Sequence, residues 1–255
     1  MKTRQKTSSP GALENSENPR RPASTRTASD SGDLYSVAAG MYDRINLSVS
    51  FGNGYRYRDE QVRSLGIRSG DHLLDVGSGT GVLARSAMEL VGEDGRVLAL
   101  DPCREMLEIA RNSGVTETVI GSIDKLPAAD DEFDFVTTGY SLRYARSIEE
   151  GLGEIWRVLK PGGKVLILEI TPPANPLLRA LTGTYILIVA RVIALIATRS
   201  LGSRKVLGHL WNEIRTTPQP DAFIQSLESS GFGDCQCHRK HGMLTAYTAI
   251  KQESA

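Results

Sequence analysis

The residues with the clearest chemical potential are two acids and three glycines. They are Asp75, Gly77, Gly79 and Gly81 in the stretch Leu73-Leu74-Asp75-Val76-Gly77-Ser78-Gly79-Thr80-Gly81, and Asp101 further on. The apolar residues up to Val76 read as a buried strand, and the alternating glycines allow a backbone to approach a ligand that side chains would exclude. From Val82 to Leu90 the spacing is helical, so the turn lies at a helix N-terminus, where free N–H groups can hold an anion. Asp101 ends the apolar run Arg96-Val97-Leu98-Ala99-Leu100. An acid at the tip of a second strand can accept hydrogen bonds from ribose hydroxyls, a role that dinucleotide enzymes share. Their fingerprint would place its third glycine where Val82 stands. A nicotinamide oxidoreductase therefore fits the turn less well, although Asp101 alone does not discriminate. A glycine turn that holds no ligand is the plain alternative.

The elements that must position these residues follow from periodicity. Strands are expected near residues 72 to 76, 96 to 101, 117 to 120, 134 to 138 and 164 to 170, with a final pair near 235 to 240 and 244 to 250, and helices in the intervals. Such alternation argues for an α/β fold: a mostly parallel, seven-stranded sheet with helices on both faces. The active site then lies at the carboxyl ends of the strands, where Gly77, Asp101, Ser122 and Gly139 would converge.

The chain has 255 residues and 40% apolar content, which suits one enzyme domain with a tail. Its 30 basic residues balance 30 acidic ones, so no general attraction to nucleic acid is expected. Cys103, Cys235 and Cys237 do not form a disulfide scaffold, and the Cys235-x-Cys237 pair reads as packing, which fits a reducing compartment. No His, Cys and carboxylate cluster has ligand spacing, so no metal is expected. Residues 1–34 have no aromatic, Val or Ile residue and read as a disordered tail. The tail lacks the apolar core of a secretory signal, and Glu14, Glu17, Asp30 and Asp33 count against a transit peptide. The expected location is cytoplasmic, with membrane association left open.

The G-x-G-x-G turn with its flanking acids resembles the first motif of class I S-adenosylmethionine (SAM)-dependent methyltransferases. Two further segments carry a narrower resemblance. Arg157-Val158-Leu159-Lys160-Pro161-Gly162-Gly163-Lys164-Val165-Leu166-Ile167-Leu168-Glu169-Ile170-Thr171 is similar to a signature of the ubiquinone and menaquinone biosynthesis C-methyltransferases, departing at Thr171, where that family has serine. Tyr42-Asp43-Arg44-Ile45-Asn46, followed by Val49-Ser50-Phe51-Gly52, looks like the same family's N-terminal signature. Gly54, Tyr57 and Ile45 depart from it, standing where the family has histidine, tryptophan and methionine. The resemblance implies a Rossmann-like class I methyltransferase domain over residues 35–255, SAM as cofactor, and a helical lid at about 172–220.

The same resemblance implies a set of cofactor contacts. They comprise Asp75 and the turn Gly77, Ser78, Gly79, Thr80 and Gly81, with Thr80 at the methionine part, then Asp101 at the ribose with Pro102 after it, Ser122 and Ile123 beside the adenine, and Gly139 at the end of the fourth strand. Met106 could pack on the adenosine as a flexible apolar side chain, and equally it could be core.

On the acceptor side, Thr138-Gly139-Tyr140-Ser141-Leu142-Arg143-Tyr144 aligns with a family segment whose Arg and Asn face the quinol. Arg143 is kept and Tyr144 replaces the asparagine. His209 stands where the family has a tyrosine. An enol or phenol ring carbon becomes nucleophilic when its hydroxyl ionises. Arg143 could stabilise that oxyanion, and His209 is a candidate base, or else a packing residue of the lid. Tyr42 and Asp43 are read as closing the site. The acceptor implied is a hydrophobic small molecule, with a prenylated quinol ring carbon as target. O- or N-methylation of another lipid or secondary metabolite, a catalytically silent scaffold and a homodimer all stay open.

The segment Tyr185 to Ala197 is the most apolar part of the chain. A spanning helix needs about twenty apolar residues, and Arg191 interrupts this shorter run, so it is not expected to cross a membrane. It reads as a buried lid, as core, or as a helix pressed to a membrane surface with Arg179, Arg191, Arg199 and Arg204 snorkelling to headgroups.

Overall fold

Apolar runs bounded by turn residues form the sheet in the computed structural model, which describes residues 39–40, 43–45, 47, 50, 52–199, 202–240 and 242–252. The tail expected over residues 1–34 lies outside the described residues. The strands are β1 (His72–Val76), β2 (Arg96–Asp101), β3 (Glu117–Ile120), β4 (Phe133–Gly139), β5 (Leu159–Ile170), β6 (Phe232–Lys240) and β7 (Leu244–Lys251). They make one seven-stranded sheet in the order β3-β2-β1-β4-β5-β7-β6. The pairs among β1 to β5 are parallel, while β7 runs antiparallel to both β5 and β6. The helices are α1 (Asn53–Arg63), α2 (Val82–Val91), α3 (Arg104–Asn112), α4 (Ile148–Val158), α5 (Pro176–Thr198), α6 (Gly202–Ile214) and α7 (Pro220–Ser229).

Successive strand residues face opposite ways, and the core divides accordingly. Leu74, Leu98, Leu100, Val165 and Ile167 pack toward Leu152 and Ile155 of α4 and Phe223 and Leu227 of α7. Leu73, Val97, Ala99, Leu166 and Leu168 pack toward Val62 of α1, Leu83 and Ala87 of α2, and Ala110 of α3. Helices therefore cover both faces. Each fully buried Leu or Ile contributes about 1.5–3 kcal/mol, so the central strands are held from two sides. The strand ends that carry the glycine turn inherit this rigidity.

The structure departs from expectation at three places. No helix fills residues 121–132, where turns built on Gly121, Pro127 and the left-handed Asp131 (φ 55°) return the chain to β4. β5 begins at Leu159, paired with Phe133, and bulges before Lys164 resumes the register opposite Phe135. The Pro161-Gly162-Gly163 run that reads as a break is this bulge. The third departure is α5, which starts at Pro176, not near Tyr185. Asn175 caps it by accepting from the Leu177 and Leu178 amides at 2.9 and 3.2 Å, and it continues through a π-helical stretch at Tyr185–Ala190. At 23 residues and a mean hydropathy of 2.1, α5 is by length and composition apolar enough to cross a membrane, where the sequence run from Tyr185 was read as too short. Leu177, Leu178 and Leu181 supply the missing length.

Candidate active site

The turn after β1 is shaped by glycines in the left-handed region, with φ of 67° at Gly77, 56° at Gly79 and 80° at Gly81. Each serves a different neighbour. A Cβ at Gly77 would lie 2.3 Å from the Ser141 side chain, and one at Gly81 would lie 2.7 Å from Val115. Those two glycines allow close packing inside the protein. At Gly79 a Cβ would meet nothing within 4 Å, so this peptide faces open space. That space is a cleft lined by Gly77, Ser78, Gly79, Thr80, Val82, Leu83 and Gly139, together with Asp43 and Arg58. Val82, in place of a third glycine, is the first residue of α2.

The two acids have different tasks. Asp75 is fully buried and accepts from the Ser78 hydroxyl at 2.6 Å and the Thr137 hydroxyl at 2.8 Å. Burial pushes its carboxyl up to about 6, against the pull of those hydroxyl donors. It braces the turn from behind. Asp101 stands at the cleft side, where one carboxylate oxygen accepts from the Gly79 amide and the other from the Cys103 amide, both at 2.8 Å. Burial raises its carboxyl above the ordinary range, while the two amides lower it. Each oxygen keeps a second lone pair for a ligand hydroxyl.

Thr80 is buried, and its hydroxyl donates to Asp43 at 2.8 Å, so the N-terminal segment is tied to the turn. Tyr42 lies outside the described residues. Pro102 is exposed beside Asp101. Met106 is buried with Ala39 and Cys103, which makes it part of a small core cluster under the N-terminal segment. The Ser122 hydroxyl turns to Asp124 at 3.3 Å. Ile123 points its side chain into the core with Leu142 and Leu152, leaving its backbone as the part available to a ligand. Gly139 lines the cleft, 3.0 Å from Leu83 at its notional Cβ. It precedes Tyr140, a left-handed tyrosine (φ 64°) whose ring lies 4.9 Å from the Arg58 guanidinium.

The helical turn Leu142–Tyr144, three residues after cleft-lining Gly139, carries Arg143 and Tyr144. Arg143 is ion-paired with Glu169 at the end of β5, and both are almost wholly buried. His209 lies on α6, and its side chain is outside the described atoms. Sequence reasoning gave no role to Glu169, Ser141, Thr137 or Arg58. Glu169 had a signal, since it stands within the quoted signature. Ser141 had none: its packing on Gly77 and its 2.9 Å bond to the Val76 carbonyl appear only when β1 and β4 lie side by side.

These features fit SAM. The open face at Gly79 admits a ligand against the backbone, Asp101 offers acceptor capacity for ribose hydroxyls, and the N-terminus of α2 begins at the cleft. Gly77 to Thr80, Asp101 and Gly139 are the residues that would hold it.

Comparison with known proteins agrees with this geometry. The family model described as ubiE/COQ5 methyltransferase family matches residues 25–251. The ubiquinone/menaquinone biosynthesis C-methyltransferase UbiE of Francisella tularensis subsp. novicida is 32% identical over 222 residues, covering 84% of this chain and 87% of its own. The UbiE of Teredinibacter turnerae is 31% identical, covering 84% of this chain and 88% of its own. Among solved structures, a SAM-dependent methyltransferase from Thermotoga maritima aligns with a TM-score of 0.61 at 18% identity, covering 87% of this chain and 99% of its own. Its likeness is one of fold.

Proposed function

The chain belongs to the ubiE/COQ5 methyltransferase family and is a SAM-dependent methyltransferase, and on that premise we propose that it methylates a ring carbon of a prenylated quinol or related aromatic acceptor. The observation that carries this reading is the buried Arg143–Glu169 pair, which joins the turn after β4 to the end of β5, in a chain about one third identical to C-methyltransferases over most of its length. Bound SAM supplies an electrophilic methyl group on a sulfonium. Displacement at a sulfonium largely neutralises charge, so alignment within the cleft supplies much of the rate. The chain's own contribution is to make the acceptor nucleophilic. Arg143 stabilises the ring oxyanion formed as the acceptor hydroxyl loses its proton to solvent, and its guanidinium is held in place by Glu169. Transfer releases S-adenosylhomocysteine, and the methylated ring carbon then loses its own proton to solvent as the ring regains aromaticity. Asp43, fastened to Thr80, closes the N-terminal side and limits water at the cleft.

Incubating the protein with methyl-labelled SAM and lipid extracts tests the reading. Label is expected in an apolar product, on carbon. Label found only on oxygen or nitrogen would replace it with heteroatom methylation, the reading that Tyr144, Gly54 and His209 would then favour as departures from the family pattern.

A further inference from the structure

Among the described residues, nine large apolar side chains are exposed, and seven of them are on α5. They form a stripe. Leu177, Leu181, Ile188, Val192 and Ile196 follow one another at one- or two-turn spacing, with Ile188 59% and Ile196 72% exposed. Isolated exposed apolar residues need no explanation, but a continuous stripe of this kind marks an interaction surface.

The opposite face of α5 is already used. Gly183 sits against the Trp211 ring of α6, and Ile186, Ala190 and Ala194 are buried, the last two packing with Ile45 and Leu207. Arg191 does not reach outward as its sequence position suggested. Its guanidinium lies over Gly208 of α6, where a Cβ would be 2.2 Å from Nη2. The exposed stripe therefore runs uncharged between Arg179 and Arg199, both of them exposed.

Charge selects the occupant. Between Glu169 and Glu213 the chain has no acidic residue, and apart from the inward Arg191 its basic residues there are Arg179, Arg199, Arg204 and Lys205, in a protein of formal net charge zero. A second copy of this face would meet it with like charge. The first 34 residues, with no aromatic, Val or Ile, have little to cover it with. An anionic lipid surface offers both the apolar phase and the opposite charge.

We propose that α5 docks the protein on an anionic bilayer, lying in the plane of the headgroup boundary with its Ile188–Ile196 face inserted. Lying in the plane keeps the Gly183–Ala194 face on α6, whereas crossing the bilayer would tear it away. The proposal goes beyond the acceptor reading, since it holds whether the methyl group reaches carbon or a heteroatom.

Flotation of the full chain with phosphatidylcholine vesicles, with and without phosphatidylglycerol, tests it. The protein is expected to float with the anionic vesicles and to be released by about 0.5 M salt. The triple variant I188E/V192E/I196E should lower partitioning by about tenfold or more with SAM affinity unchanged. R179E/R199E should remove the preference for anionic lipid, which keeps the test decisive if the triple variant fails to fold. Absence of wild-type flotation, equal flotation of the variants, or retention through the salt wash would overturn the proposal. So would a wild-type dimer that the same triple variant dissociates, because the stripe would then belong to a second copy.

Discussion

The guanidinium of Arg143, in the turn after β4, is ion-paired with the carboxylate of Glu169 at the end of β5, and the two side chains are 9% and 2% exposed. A charge held so far from water keeps its geometry only while its partner remains. The pair spans two adjacent parallel strands whose register runs from Phe135–Lys164 to Gly139–Leu168. The sheet therefore sets the position of Arg143.

Glu169→Gln should remove the carboxylate that is ion-paired with this buried guanidinium. Removing one partner of a buried pair costs about 3–5 kcal/mol, so thermal unfolding should begin well below that of the wild type. Arg143→Lys keeps the charge and loses the planar fork. We expect kcat to fall about tenfold or more with SAM Kd unchanged. Turnover and calorimetric titration of the two variants check this, and a weakened SAM Kd with normal kcat would place the pair on the cofactor side.

Substitutions at the glycine turn should separate packing from binding. Gly77→Ala drives a methyl group into Ser141 and should lower stability by about 1–3 kcal/mol. Gly79→Ala meets no protein atom within 4 Å, so its stability cost is limited to backbone strain, about 1 kcal/mol, while its methyl group enters the cleft. SAM affinity should drop much more for its stability change than in Gly77→Ala, as melting curves and titrations on both proteins will show.

Asp101→Ala removes the acceptor for the Gly79 and Cys103 amides together with the lone pairs offered to the ribose. Loss of hydrogen bonds to a charged acceptor is worth about 1.5–3 kcal/mol, so SAM Kd should rise by about 10- to 100-fold. The affinity of S-adenosylhomocysteine should fall in parallel, because it carries the same ribose.

Asp75 predicts a pH signature of stability. Its carboxyl is raised from 3.8 to about 6 by burial, so between those values the folded protein binds a proton that the unfolded chain releases. Its contribution to stability is greatest below about pH 4, declines as pH rises toward 6, and is constant above that. The full span is about 3 kcal/mol. Asp75→Asn should flatten this part of the stability profile measured by urea unfolding from pH 4 to 7. An unchanged slope would mean the decline arises elsewhere.

Much of the fold was legible because buried strands announce themselves. β1, β2 and β3 fall where apolar runs and turn residues put them, and Gly77, Gly79 and Gly81 carry the left-handed turn their spacing requires. Tertiary relations were less legible. Nothing local to Arg191 says that α6 will offer a glycine beneath its guanidinium, and nothing in Ser141 says that Gly77 will lie against it. α5 was read too short because Thr182, Gly183 and Thr184 dilute its apolar pattern, although Gly183 is there to admit Trp211. Ile123 was placed beside the adenine by motif position, and only the structure shows that its side chain packs in the core while its backbone is what a ligand could meet.

The proposed reaction transfers a methyl group from SAM to a ring carbon of a prenylated quinol. The most direct measurement is carbon NMR of the product formed from ¹³C-methyl SAM, the full chain and a prenylated hydroquinone with one unsubstituted ring position. A new aryl methyl resonance is expected, strongly reduced in Arg143→Lys. A methoxy or N-methyl resonance in its place would contradict it.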